Sequence, residues 1–77
     1  LDLSSFDTSN VTAMNYMFRS CTKLISLNIQ NFNFSNVNSY DGMFSLVKSN
    51  LTIYVKDSTA KEWLVSKFSN LNNVVVL

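Results

Sequence analysis

Apolar and polar residues alternate at three places along the chain, and the three places are evenly spaced. Leu1-Asp2-Leu3, Leu27-Asn28-Ile29 and Ile53-Tyr54-Val55 each read apolar, polar, apolar. That period of two predicts short strands with one buried face. Each run recurs after 26 residues, in the same direction. Strands repeated in one sense should stack as a parallel sheet, and parallel strands need a crossover between them. Between the first and second runs, Val11, Met14, Met17 and Phe18 fall at spacings of three, six and seven, which predicts one face of a short helix. Val37, Tyr40, Met43 and Phe44 repeat it. Thr8, Ser9 or Asn10 would cap the first of these helices, and Ser35 or Asn36 the second. Phe6 and Phe32 should fill the space between strand and helix. After the third strand, Ala60, Trp63, Leu64 and Phe68 mark the apolar face of a longer helix, with Lys61, Glu62 and Lys67 turned away. Thr59 followed three residues later by Glu62 has the form of a capping box. The β-branched run from Val74 to Leu77 can add a last strand.

The spacing is more than a rhythm. Shifted by 26, Leu1, Phe6, Ser9, Asn10, Val11, Met17 and Phe18 meet identical residues at Leu27, Phe32, Ser35, Asn36, Val37, Met43 and Phe44. A repeat of this length is the mark of a solenoid, whose units bury their apolar faces only against their neighbours. The expected organisation is one 77-residue fragment: repeat 1 over 1–26, repeat 2 over 27–52, and a divergent C-terminal capping repeat over 53–77. The chain opens inside a repeat, so it reads as a piece of a longer array with an unprotected edge at Leu1, Leu3 and Phe6. That edge is expected to favour self-association.

Charge and reactive groups narrow the chemistry. The net charge is +1 and 14% of residues are charged, with the six basic residues scattered. Nucleic-acid binding needs clustered Lys and Arg, and is not expected. No apolar run reaches the length of a membrane span, so this segment is not expected to insert directly into a membrane. The chain has no histidine and one cysteine, Cys21, whose place in the next repeat is held by Val47. A nucleophilic cysteine needs a base, so Cys21 reads as a small apolar residue. Asp2 and Asp7 have Asn28 and Asn33 as counterparts. Positions that accept acid and amide alike suit turns and solvation rather than a catalytic carboxylate pair. No enzyme activity, metal or cofactor is expected. Trp63 reads as core. The outward strand positions Asp2, Ser4, Asn28, Gln30, Tyr54 and Lys56 form two polar columns, which are the candidate partner-binding face.

The run LDLSSFDTSNVTAMNYMFRSCTKLISL resembles the 26-residue repeat of bacterial surface proteins, the BspA-like relatives of leucine-rich repeats. Leu1 to Thr12, Met14, Met17, Phe18, Cys21, Leu24 and Leu27 carry the resemblance. The second unit departs from it at Phe34, Tyr40 and Val47. The segment TIYVKDSTAKEWL is similar to the one that closes such arrays. The resemblance implies a right-handed leucine-rich-repeat-like α/β solenoid of parallel strand–helix units with a helix-strand cap. It further implies a secreted or cell-surface setting, and adhesion to, or display towards, a host or bacterial surface protein. A purely structural stalk or cap is the alternative.

Overall fold

The structure is a computed structural model that describes all residues, 1–77. It is a small α/β domain built around a parallel sheet of three strands. These are β1 (Ser26–Asn28), β2 (Thr52–Val55) and β3 (Asn73–Val76), in that spatial order, with one helix, α1 (Ser58–Lys67), crossing from β2 to β3. Ser26 pairs with Thr52, Leu27 with Ile53 and Asn28 with Tyr54, an offset of 26. Between β2 and β3 the offset falls to 21, with Thr52 opposite Asn73 and Val55 opposite Val76. The first run, Leu1-Asp2-Leu3, is not a full strand. It contributes a single parallel bridge, Asp2 to Asn28, flanked by Leu3 N–H to Asn28 O (2.9 Å) and Asn28 N–H to Leu1 O (2.8 Å).

Alternation sets the buried face of the sheet. Leu27, Ile29, Ile53 and Val55 are essentially inaccessible to solvent, while Asn28 and Tyr54 between them are half-buried. Full burial of such side chains stabilises the fold by about 1.5–3 kcal/mol each. Leu64 of α1, Met43 and Phe44 complete the centre of the core.

The short helices expected after Thr8 and Ser35 do not form. Residues 14–20 and 40–46 run as successive tight turns instead. Two features exclude a helix. Tyr16 and Ser20 have φ of 59° and 60°, and Gly42 and Leu46, each 26 residues on, have 62° and 63°. Every second amide is also committed elsewhere: Met14, Tyr16, Phe18 and Ser20 donate to the carbonyls of Ser39, Asp41, Met43 and Ser45, all at 2.8 Å. Those donors would be needed for i−4 bonds in a helix. Of the 37 backbone hydrogen bonds, 26 lie outside helices and strands, so turns and segment-to-segment bonds carry most of the backbone. Met14 and Phe18, four residues apart, still point inward. Met17, placed on the same face by the helical reading, is 44% exposed.

Exposure separates the first segment from the second. Phe32 is buried, but Phe6, expected to fill the same kind of space, is 56% exposed. Leu27 is buried, whereas its counterpart Leu1, on the edge expected to be unprotected, is 61% exposed. No second 26-residue layer covers these residues in the structure.

The third segment closes the other side through aromatic packing. Thr8 is buried, and its hydroxyl bridges to the next segment by accepting from Asn33 N–H (2.7 Å) and donating to Asn33 O (3.3 Å). Its counterpart Phe34 instead stacks face to face on Trp63 of α1, with centroids 4.4 Å apart and planes 4° from parallel. Tyr40, the counterpart of Met14, meets Trp63 and Phe68 edge-on at 5.3 and 5.9 Å. Phe44 meets Phe68 at 5.1 Å. Two of the three substitutions that make the second repeat irregular, Phe34 and Tyr40, thus contact α1. Offset-stacked and edge-to-face pairs add about 0.5–1.5 kcal/mol each beyond buried area. The N-cap of α1 is Asp57, whose carboxylate accepts from Ala60 N–H (2.9 Å). The cap thus lies two residues before Thr59, and Thr59 and Glu62 make no capping box. Asp57 sits in extended backbone and reaches the N3 amide first. Lys67 in the last turn complements the helix dipole.

Two stability outcomes follow. Trp63→Ala should cost about 3 kcal/mol in urea unfolding, at the low end for a large aromatic because the ring is half-buried. Gly42→Ala should cost about 1–2 kcal/mol, since φ is positive there and a Cβ would lie 2.7 Å from the Tyr16 ring. Adding Tyr16→Ala should recover the steric part of that loss and leave the backbone part.

Candidate functional site

The outward sheet residues lie side by side as their spacing requires. Asp2, Asn28, Tyr54 and Val75 follow one another across the sheet. Their side chains are not equally available, however. Asp2 Oδ1 accepts from Ser4 N–H (2.9 Å), and Asn28 Oδ1 accepts from Gln30 N–H (3.0 Å). Both therefore curl back to close a local turn. Tyr54 is half-buried and makes no side-chain hydrogen bond. Val75, 40% exposed, extends this row with an apolar residue.

The same turn recurs five residues on. Asp7 Oδ1 accepts from Ser9 N–H (3.0 Å), and Asn33 Oδ1 accepts from Ser35 N–H (2.9 Å). Acid and amide interchange here because the turn uses only an acceptor oxygen, which both supply. The backbone N–H of Ser9, then its hydroxyl, hold the exposed Asp7 carboxyl below the ordinary value of 3.8. For Asp2 the Ser4 hydroxyl leads and the Ser4 N–H follows, in the same direction.

Asparagine amides tie the segments together. Asn31 Nδ2 donates to Ser4 O, Asn36 Nδ2 to Ser9 O (2.6 Å), Asn70 Nδ2 to Phe44 O (3.1 Å) and Asn72 Nδ2 to Ser49 O (3.2 Å). Asn15 Oδ1 accepts from Asp41 N–H (2.6 Å), and its amide exchanges bonds with the Ser39 hydroxyl. Asn36, expected as a helix cap, is therefore a link between segments. Thr8, Ser9 and Asn10 cap no helix either.

One cavity of about 450 Å³ opens where the turns of the first two segments meet the start of α1. Gln30 and Lys56, neighbours in the polar column that starts at Ser4, line it together with Asp7, Asn31, Asn33 and Trp63. The four residues that join Gln30 and Lys56 there were not read as a site from the sequence. They are separated along the chain, and the only signal was the recurrence of Asp7 as Asn33. Ser4, Asn28 and Tyr54 lie outside this cavity, as does Asp2. Cys21 is half-buried against the core and does not line this cavity. No group of three or more Cys, Asp or Glu side chains stands close enough to hold a metal ion. No helix is long and apolar enough to cross a membrane.

The family model described as "Mycoplasma protein of unknown function, DUF285" matches residues 1–76. The chain belongs to that family. No curated protein and no solved structure gives a significant match to this DUF285 chain.

The depressed carboxyls set a direction with pH. A folded value below 3.8 means that Asp2 and Asp7 contribute their full stabilisation above that pH and lose it as pH falls through the depressed value. An Asp2→Asn/Asp7→Asn chain should match the wild type in urea midpoint near neutral pH, because Asn28 and Asn33 already make this turn. It should fall less than the wild type on acidification well below pH 3.8. Equal losses in both proteins would remove these two turns as a source of acid sensitivity.

Proposed function

We propose that this DUF285 chain is a non-catalytic repeat segment of a bacterial cell-surface or secreted protein, built for protein–protein interaction, adhesion or display. On this reading it is a right-handed, leucine-rich-repeat-like solenoid of the BspA-like 26-residue type, ended by α1 and β3. The observation that carries it is the recurring offset: the bridges, turn ladder and asparagine links between the first two segments, and the β1–β2 pairing between the second and third, all join residues about 26 apart. A surface with few charges and many Ser, Thr and Asn residues suits a neutral contact face. The polar groups that do converge surround a cavity, with no nucleophile–base pair among them. The candidate contacts are Gln30, Tyr54 and Lys56, with a host or bacterial surface protein as partner and no cofactor.

A second reading, a structural cap or stalk with no ligand, is favoured by one observation. Asp2 and Asn28 spend their side-chain oxygens on their own turns.

Two experiments test these readings. A further copy of residues 1–26 inserted between Ser26 and Leu27 should fold, keep cooperative unfolding and raise the melting temperature, as an added repeat does in a linear array. Collapse of the fold would sink the solenoid reading. Attachment of the labelled chain to cell surfaces should fall with Tyr54→Ala or Lys56→Ala while circular dichroism stays unchanged. Unaltered attachment would favour the structural reading.

A further inference from the structure

The cavity at the start of α1 has a chemistry of its own. Several of its polar side chains are half used. Asp7 Oδ1 and Asn33 Oδ1 hold turns, and Asn31 Nδ2 is bound to Ser4 O. Asp57 Oδ1 caps the helix. Each is thereby fixed, and Asn33 Nδ2, Asn31 Oδ1 and Asp57 Oδ2 have no partner within the protein, while the exposed Asp7 carboxylate, shared with Ser9, has acceptor capacity to spare. Gln30 and Lys56 add a free amide and an ammonium. The rim therefore offers both acceptors and donors, held in place before any ligand arrives, which lowers the entropy lost on binding. Behind the rim lie Phe32, Phe34 and Trp63, and Trp63 is locked against Phe34 by stacking.

Elimination narrows the ligand class. Two carboxylates against one ammonium disfavour a phosphate or another anion. An apolar ligand would strip water from the amides without replacing their hydrogen bonds. A bound metal ion lacks the grouped ligands it needs. A molecule whose every hydroxyl both donates and accepts, and whose C–H faces can rest on aromatic carbon, satisfies all the groups present. About 450 Å³ lies within the roughly 300–1,000 Å³ of small-molecule sites. We propose that this groove binds a neutral saccharide, held by Asp7, Gln30, Asn31, Asn33 and Lys56 against Trp63. The assignment rests on the reading of the chain as a binding module, and names the chemistry its Gln30–Lys56 end would recognise.

Trp63 is the sole tryptophan, so its emission reports this groove alone. The 77-residue chain would be titrated with N,N′,N″-triacetylchitotriose, maltotriose and inorganic phosphate, following Trp63 emission and the amide resonances of Gln30, Asn33 and Lys56. The expected result is a saturable change with at least one trisaccharide and none with phosphate. Gln30→Ala and Asp7→Asn should each weaken binding about tenfold, and both leave the turn bonds in place. The proposal is overturned if neither trisaccharide perturbs these signals, if phosphate alone does, or if both variants bind as the wild type does. Cell attachment measured in parallel separates the two levels. A chain that attaches but ignores both trisaccharides loses only the saccharide assignment, whereas one that does neither loses the binding reading as well.

Discussion

The structure depends on one commitment of the backbone. By donating from every second amide in 14–20 to carbonyls 25 residues ahead, the first segment lies along the second and cannot coil on itself. Everything else follows that register. It puts Asp2 opposite Asn28 and Ala13 opposite Ser39, sets Phe18 over Phe44 at 5.3 Å, and seats the Tyr16 ring above the one residue that has no side chain, Gly42. A slip of one residue would turn each inward side chain outward, so burial and hydrogen bonding enforce the same alignment.

The second segment serves two neighbours with different demands. Toward the first it offers carbonyls, the Asn33 backbone and the Asn36 amide. Toward the third it offers aromatic rings, because α1 has no backbone donors to spare for a neighbouring segment. Phe34 and Tyr40 replace the polar link of Thr8 and the flexible Met14 with planes on which Trp63 and Phe68 can rest. The change from hydrogen-bonded layering to aromatic packing comes where α1 replaces the turns, while the strands there keep the offset of 26; the offset falls to 21 only between β2 and β3. No buried side-chain nitrogen or oxygen is left without a partner on either side of that change.

How much of this could be read from the residues depends on whether a pattern has one structural solution or two. Alternation at Leu27-Asn28-Ile29 and Ile53-Tyr54-Val55 has one, and its four apolar residues line the buried face. The apolar stripe of Ala60, Trp63, Leu64 and Phe68 was likewise legible, and all four pack on the core. Spacings of three and four after Val11 have two solutions, a helix and a run of tight turns. The turns prevail because a neighbouring segment supplies the acceptors, which local propensity does not register. The lone glycine at the counterpart of Tyr16 was the available warning. At the start of α1 the capping-box pattern pointed to Thr59, and Asp57, two residues earlier, fills the cap instead because its carboxylate reaches Ala60 N–H. The groove was the least legible feature, because its walls come from three segments.

Six of the asparagines fall into two classes with different chemical lifetimes. At Asn28 and Asn33 only the side-chain oxygen is used within the protein, and an aspartate already fills the matching place 26 residues earlier. Hydrolysis of either amide to an ordinary aspartyl residue would leave the turn intact. Asn31, Asn36, Asn70 and Asn72 use their nitrogen, and each points it at a carbonyl of a neighbouring segment. Deamidation there would replace a donor with a carboxylate facing a carbonyl oxygen, turning a link into a repulsion. The domain therefore ages unevenly: its turns are indifferent to the loss of ammonia, and the seams between its segments are not.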